Sequence, residues 1–249
     1  MAVDGLPLWV DLQGQGETTV VFESGNGNDS TVWDALEPQV RALGVRTFRY
    51  DRRGYGRSAH FASETYRVEM DLSTLQGALT ACGIAGPIVA VAHSYGGGLA
   101  LITARRDRRI KGLVLVDAVV PGVSTPKIVR ETLAEVRPQY AEVRKEAPDL
   151  ARTVIPIMEA WGQTMDRVNA TPVSRTLPII DIVADGGGGG KKPAMTAHWR
   201  KAHRRFVAAA PASRTFVDAV GSGHKVMKDK PELIVEAIRQ MLGRVRRAR

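Results

Sequence analysis

The feature that most restricts this chain is an alternation of two hydrophobic periods. Strand-like stretches read LPLWVDL (6–12), TTVVFES (18–24), VRTFRYD (45–51), PIVAVAH (87–93), GLVLVDA (112–118), LPIIDIVA (177–184) and RTFVDAV (214–220). Between them lie segments with helical spacing: TVWDALEPQVRALG, TYRVEMDLSTLQGALTACG, GGGLALITARRDRR, MTAHWRKAHRRFVAAA and PELIVEAIRQML. The first two strands read as a pair joined by the turn QGQGE. The later strands are apolar on nearly every residue, as expected where helices cover both faces of a parallel sheet. The expected fold is therefore α/β, a doubly wound and mostly parallel sheet. Residues 120–177 break the alternation, being helical and punctuated by prolines with no strand of their own. They read as a helical cap inserted over the sheet edge where ligands bind, leaving 1–119 and 178–249 as the core domain.

A chain of 249 residues with 44% hydrophobic content suits one such domain. No apolar run reaches the roughly 18 residues of a membrane span, and the opening MAVDGLPLWVDLQGQGE lacks the basic start and long apolar stretch of a signal peptide. Cys82 is the only cysteine, so no disulfide forms within the chain. A cytoplasmic setting follows as the expectation. The formal charge of +9 raises nucleic acid as a partner, but RRDRRIK (105–111) contributes +4 and the tail RQMLGRVRRAR five arginines, which together account for the excess. Arginines at helix ends offset the negative end of the helix dipole, so neither nucleic acid nor membrane is expected as a partner.

The segment AVAHSYGGGLA (90–100) carries the chemistry. A strand that runs into Ser94 and straight out into a helix must reverse sharply, and the residues two before and two after the serine must be small. Ala92 and Gly96 meet that need. Such a turn raises the Ser94 hydroxyl above the sheet and aims the Tyr95 N–H at the oxygen of whatever Ser94 attacks.

Three motifs then point the same way. The A-x-S-x-G elbow, YDRRGYGRS (50–58) and GSGHKVMKDKP (221–231) resemble the α/β-hydrolase superfamily in its elbow, its D-x-R-G-x-G-x-S turn and its late G-x-G-H segment, in the same order. The resemblance covers nearly the whole chain. It implies a serine nucleophile, a histidine base and an acid, with no cofactor and no metal.

His224 is the candidate base, because a serine hydroxyl is a poor nucleophile until an imidazole takes its proton. His93 should face away from the site, since successive strand residues point to opposite faces. His60, His198 and His203 read as surface residues. The resemblance puts a second oxyanion donor in the loop SGNGND (24–29), where Gly25 permits the tight backbone and Asn26 supplies the N–H. For the acid, the commonest superfamily position is a G-x-x-D turn after LPIIDIVA, but this chain has ADGGGGG there, with Gly187 in the acid's place and Asp185 two residues early. Asp117, at the end of GLVLVDA, is the favoured alternative, and an arrangement using neither stays open. The glycine run 186–190 is expected to form a mobile rim beside the site.

In VIPIMEAWGQTM, Ile157, Trp161 and Met165 recur at i, i+4 and i+8. The stripe either packs the cap onto the core, which is favoured, or lines a pocket for the hydrophobic portion of a small-molecule substrate. Superfamily members that displace halide or open epoxides use an aspartate at the elbow, so Ser94 implies an acyl-enzyme. The expected activity is a serine hydrolase acting on a carboxylic ester or lactone, with thioester and amide within the same chemistry. A slow or non-catalytic binding protein on this fold, and an acyltransferase or perhydrolase using the same residues, are the alternatives.

Overall fold

The computed structural model describes residues 1–61, 65–186, 188 and 192–247. β1 (Ala2–Val3) and β2 (Leu6–Pro7) form a small antiparallel pair. The central sheet consists of β3 (Val10–Gln13), β4 (Thr19–Glu23), β5 (Arg46–Tyr50), β6 (Ile88–His93), β7 (Ile110–Val116), β8 (Ile179–Gly186) and β9 (Arg214–Gly223), in the order β3-β5-β4-β6-β7-β8-β9. Only the β3–β5 pair is antiparallel. Helices α1 (Glu37–Arg41), α2 (Val68–Ala81) and α3 (Tyr95–Arg106) join the early strands. Helices α4 (Pro126–Val136), α5 (Tyr140–Glu146), α6 (Pro148–Glu159) and α7 (Trp161–Asn169) lie between β7 and β8, with no strand among them. Helix α8 (Pro193–Ala208) joins β8 to β9, and α9 (Val226–Asp229) and α10 (Pro231–Arg247) close the chain.

The sheet is buried on both faces because its central strands are apolar at both parities. Val89, Val91, Val114, Val116, Ile180 and Ile182 enter one core, which α1 and α10 cover. Ala90, Ala92, Leu113, Leu115, Ile179 and Val183 enter the other, under α2, α3 and α8. One residue in this second set is polar: Asp181, between Ile179 and Val183, is fully buried.

Two local expectations are corrected. LPLWVDL is not one strand in a hairpin with TTVVFES. It divides into β2 and β3, and β3 pairs with β5, because β4 takes parallel partners on both sides (β5 and β6) and has no free edge. TVWDALEPQVRALG divides into a 3-10 turn at Ser30–Trp33 and the short α1, whose Pro38 sits in the first turn, where a missing N–H costs nothing. Part of each basic cluster falls in a last helical turn, Arg105 and Arg106 in α3 and Arg244, Arg246 and Arg247 in α10, while Arg108 and Arg109 lie between α3 and β7. Among the described residues no helix is long and apolar enough to cross a membrane.

Candidate active site

The sharp reversal at the end of β6 falls on Ser94, whose φ of 52° and ψ of −124° place a non-glycine residue in a strained region. Its carbonyl accepts from Gly97 N (2.9 Å) and Val119 N (2.7 Å), which fixes the turn. Gly96 is required here, since a Cβ would lie 2.6 Å from the Ser24 carbonyl oxygen. Gly25 is required on the facing loop, where a Cβ would lie 2.8 Å from His93 Nδ1.

Ser94 Oγ lies 2.9 Å from His224 Nε2, and His224 Nδ1 lies 2.6 Å from Asp117 Oδ2. Asp117 follows β7 with φ of 42° and is fully buried, whereas the His224 side chain is 38% exposed. In this line the Ser94 hydroxyl donates to Nε2 and the Nδ1–H donates to the carboxylate. An imidazole so held can take the serine proton and return it to a leaving group. Asp185 is elsewhere, exposed, with its Oδ2 accepting from Gly221 N at 2.9 Å. Of the two candidate acids, the structure brings only Asp117 to His224. Gly187 and most of the glycine run lie outside the described residues.

The loop after β4 is held from below by Arg52. Its guanidinium donates to the Ser24 carbonyl, to Gly25 O at 2.8 Å and to Glu23 Oε1 at 2.7 Å, and Asp71 is its second acid at 3.6 Å. Burial opposes the Arg52 charge, but Glu23 and Asp71 beside it hold the guanidinium well above its usual range. Burial in turn pushes the Glu23 and Asp71 carboxyls up. The Tyr55 hydroxyl donates to Asn26 Oδ1 at 2.5 Å and accepts from Gly27 N at 3.2 Å. Among the described residues no hydrogen bond is made by the Asn26 or Tyr95 N–H, so both backbone donors are available to an oxygen above Ser94. The Tyr95 side chain points inward to the Tyr66 hydroxyl.

The apolar stripe is corrected. Ala160 separates α6 from α7, so Ile157 and Trp161 lie on different helices. Ile157 and Met165 are buried in the core, and Trp161 is half-buried with its ring 5.7 Å from that of Tyr95. Asn26 Nδ2 touches Met158 Sδ at 3.5 Å, so α6 reaches the oxyanion loop through a residue outside the stripe.

The histidines are also partly corrected. His203 is not a surface residue; it is fully buried with Nδ1 2.8 Å from Asp181 Oδ2. His60 is half-buried against Thr153 on α6 at 3.1 Å, and half-buried His198 bonds the Gly122 carbonyl at 3.1 Å. His93 is buried as expected, but it is not remote. Its Nε2–H donates to the His224 carbonyl at 2.9 Å, and the two rings are 4.6 Å apart. Burial, with His224 adding to it, pushes the His93 imidazole down to about 3. Trp199, which no sequence motif singles out, donates its indole N–H to Asp117 Oδ1 at 2.9 Å. Among the described residues no three His, Cys, Asp or Glu side chains converge as metal ligands would.

A mostly parallel sheet that raises a serine at a strand-to-helix turn defines the α/β-hydrolase class of fold. The chain belongs to the alpha/beta hydrolase family, whose profile matches residues 20–237. It is 26% identical to the sn-1-specific diacylglycerol lipase ABHD11 of Mus musculus over 271 aligned positions, covering 95% of this chain and 85% of that one. A putative ancestral haloalkane dehalogenase shares its fold with a TM-score of 0.72 at 18% identity, over 99% of this chain and 98% of that one. A thermophilic esterase from Thermogutta terrifontis does so with a TM-score of 0.66 at 22% identity, over 98% and 96%.

Proposed function

We propose that this chain is a serine hydrolase that cleaves a carboxylic ester or lactone through an acyl-enzyme on Ser94. The observation that carries the reading is the unbroken line Ser94 Oγ, His224, Asp117, with spacings of 2.9 and 2.6 Å. Ser94 Oγ attacks the acyl carbon while His224 Nε2 takes its proton. The developing oxyanion is met by the Tyr95 and Asn26 N–H groups. His224 then returns the proton to the departing alcohol oxygen, leaving the acyl group on Ser94. Water, its proton drawn to Nε2, releases the acid by the same steps in reverse. Asp117 holds the imidazole in the tautomer that this exchange needs.

A serine at the elbow favours an acyl-enzyme over the alkyl ester of an aspartate nucleophile. Similar proteins described as a lipase and an esterase favour a carboxylic ester among acyl substrates. Helices α4 to α7 act as a cap, from which Met158 touches Asn26 and the Trp161 ring lies 5.7 Å from that of Tyr95. Met158 and Trp161 would meet the hydrophobic portion of a small-molecule substrate. The cytoplasm is the proposed setting, on the single cysteine.

The test is labelling with a fluorophosphonate together with turnover of p-nitrophenyl acetate, on wild type and Ser94→Ala. Labelling mapped to Ser94 with ester turnover, both lost in the variant, is the expected result. A folded wild type that neither labels nor turns over an ester panel would contradict the reading and leave a binding role on the same fold.

A further inference from the structure

Asp117 is a buried carboxylate whose four hydrogen bonds among the described residues are not equivalent. Oδ1 accepts from Trp199 Nε1 at 2.9 Å and Ala184 N at 3.2 Å, and Oδ2 accepts from Gly188 N at 2.7 Å and His224 Nδ1 at 2.6 Å. Two of these donors are backbone groups that any non-proline residue would supply. Besides His224, the only side chain among the four is the indole of Trp199. We propose that Trp199 is a positioning residue for the proposed triad, fixing Oδ1 so that Oδ2 faces His224.

The indole is itself held on several sides. It projects from the inner face of α8 at 8% exposure, into the same core as Phe206 and Ala202. A Cβ on Gly188 would fall on its ring, so the glycine at that position leaves room for the indole. Its ring stands edge-on to His224 at 6.4 Å and 86°, and the His203 ring lies 5.2 Å away. His203 is in turn tied to Asp181 on β8 at 2.8 Å, so this neighbour of the indole is anchored to the sheet. The turn after β8 supplies no carboxylate to His224 among the described residues, and the indole fills the space beside it. Asp117 emerges with a positive φ at the end of β7 and, apart from His224 itself, would otherwise have only main-chain donors among the described residues to set the plane of its carboxylate.

The inference rests on the proposed serine hydrolase reading, and the experiment separates the two. Trp199→Phe keeps most of the apolar surface and removes the N–H. A hydrogen bond to a charged group is worth about tenfold or more in an equilibrium, so the rate of Ser94 phosphonylation by a fluorophosphonate should fall about 10- to 100-fold. The low-field proton resonance of the His224 Nδ1–H, absent from Asp117→Asn, should shift upfield or broaden. Phe206→Leu, an equally buried change on the same helix, should alter neither. Where Trp199→Phe does not fold, benzothienylalanine placed at position 199 keeps the indole outline without the N–H. A Trp199 variant that labels within about twofold of wild type with the proton resonance unmoved, while Asp117→Asn is crippled, overturns the positioning role and leaves the triad standing. Full labelling of Asp117→Asn would remove the triad reading itself.

Discussion

Two buried polar clusters flank Ser94, and they are built on opposite principles. Under the oxyanion loop, Arg52 faces two carboxylates, Glu23 and Asp71, with the Tyr50 hydroxyl donating to Glu23 Oε2 at 2.5 Å and the Tyr66 hydroxyl to Asp71 Oδ2 at 2.8 Å. Under the imidazole, Asp117 is a single carboxylate surrounded by the neutral donors Trp199, Ala184 N and Gly188 N. The first cluster sets a cation among its carboxylates and spends its remaining donors on the Ser24 and Gly25 carbonyls. It shapes backbone. The second keeps one negative charge uncompensated except by His224, so the field of that charge is directed at the imidazole. Removing a charge from the first should therefore damage stability, and removing the charge from the second should damage chemistry.

The largest expected effect is on the second cluster. Asp117→Asn should lower turnover of p-nitrophenyl acetate by about 10²- to 10⁴-fold with the melting temperature little changed, because an amide favours the wrong imidazole tautomer. Asp185→Asn, whose carboxylate meets Gly221 rather than His224, should cost less than about tenfold. The reverse ranking would move the acid and erase the contrast between the clusters.

Next comes Arg52→Met, which strands Glu23 and Asp71 in the core and releases the Gly25 carbonyl. Breaking a buried ion pair by removing one partner costs about 3–5 kcal/mol, which urea unfolding would read as a lower midpoint. A loss of less than about 1 kcal/mol would mean that the guanidinium does not hold this loop.

The smallest effect concerns His93, between the two clusters. Its folded imidazole titrates near 3 rather than 6.5, so below its ordinary range the unfolded chain binds a proton that the folded chain refuses. Stability should then fall with pH between those two values. Going from about pH 7 to about pH 5, wild type should lose about 2 kcal/mol more than His93→Gln, which keeps an N–H for the His224 carbonyl and does not titrate. Equal losses in the two proteins would place the acid sensitivity elsewhere.

What was legible in the sequence divides along the same line. The elbow and His224 announce themselves through glycines and small neighbours that a local turn demands, and the parallel sheet through strands apolar at both parities. Asp117 is readable as a strand-end acid and favoured over Asp185, but the deciding contact spans 107 residues and lies beyond any local pattern. Trp199 is 82 residues from Asp117 and left no local mark. HWRKAHRR looks solvated on a helix, yet His203 is buried, and the signal for this is Asp181, an acid in an otherwise apolar buried strand, which needs a buried partner. For His93 the strand alternation gave the right face, but not that the chain returns from β9 across that face and lays His224 over it. The hairpin expectation failed because QGQGE suits a tight turn, while the pairing was decided by which strands had edges to offer.

The central claim is that Ser94 and His224 act as one proton-exchanging unit. It is tested most directly by p-nitrophenyl acetate turnover in Ser94→Ala, His224→Ala and the double variant. Each single change should reduce turnover by about 10³-fold or more, and the double variant should be little worse than either, since a base without its nucleophile has nothing left to do. Losses that multiply in the double variant, or near-normal turnover in Ser94→Ala, would contradict it.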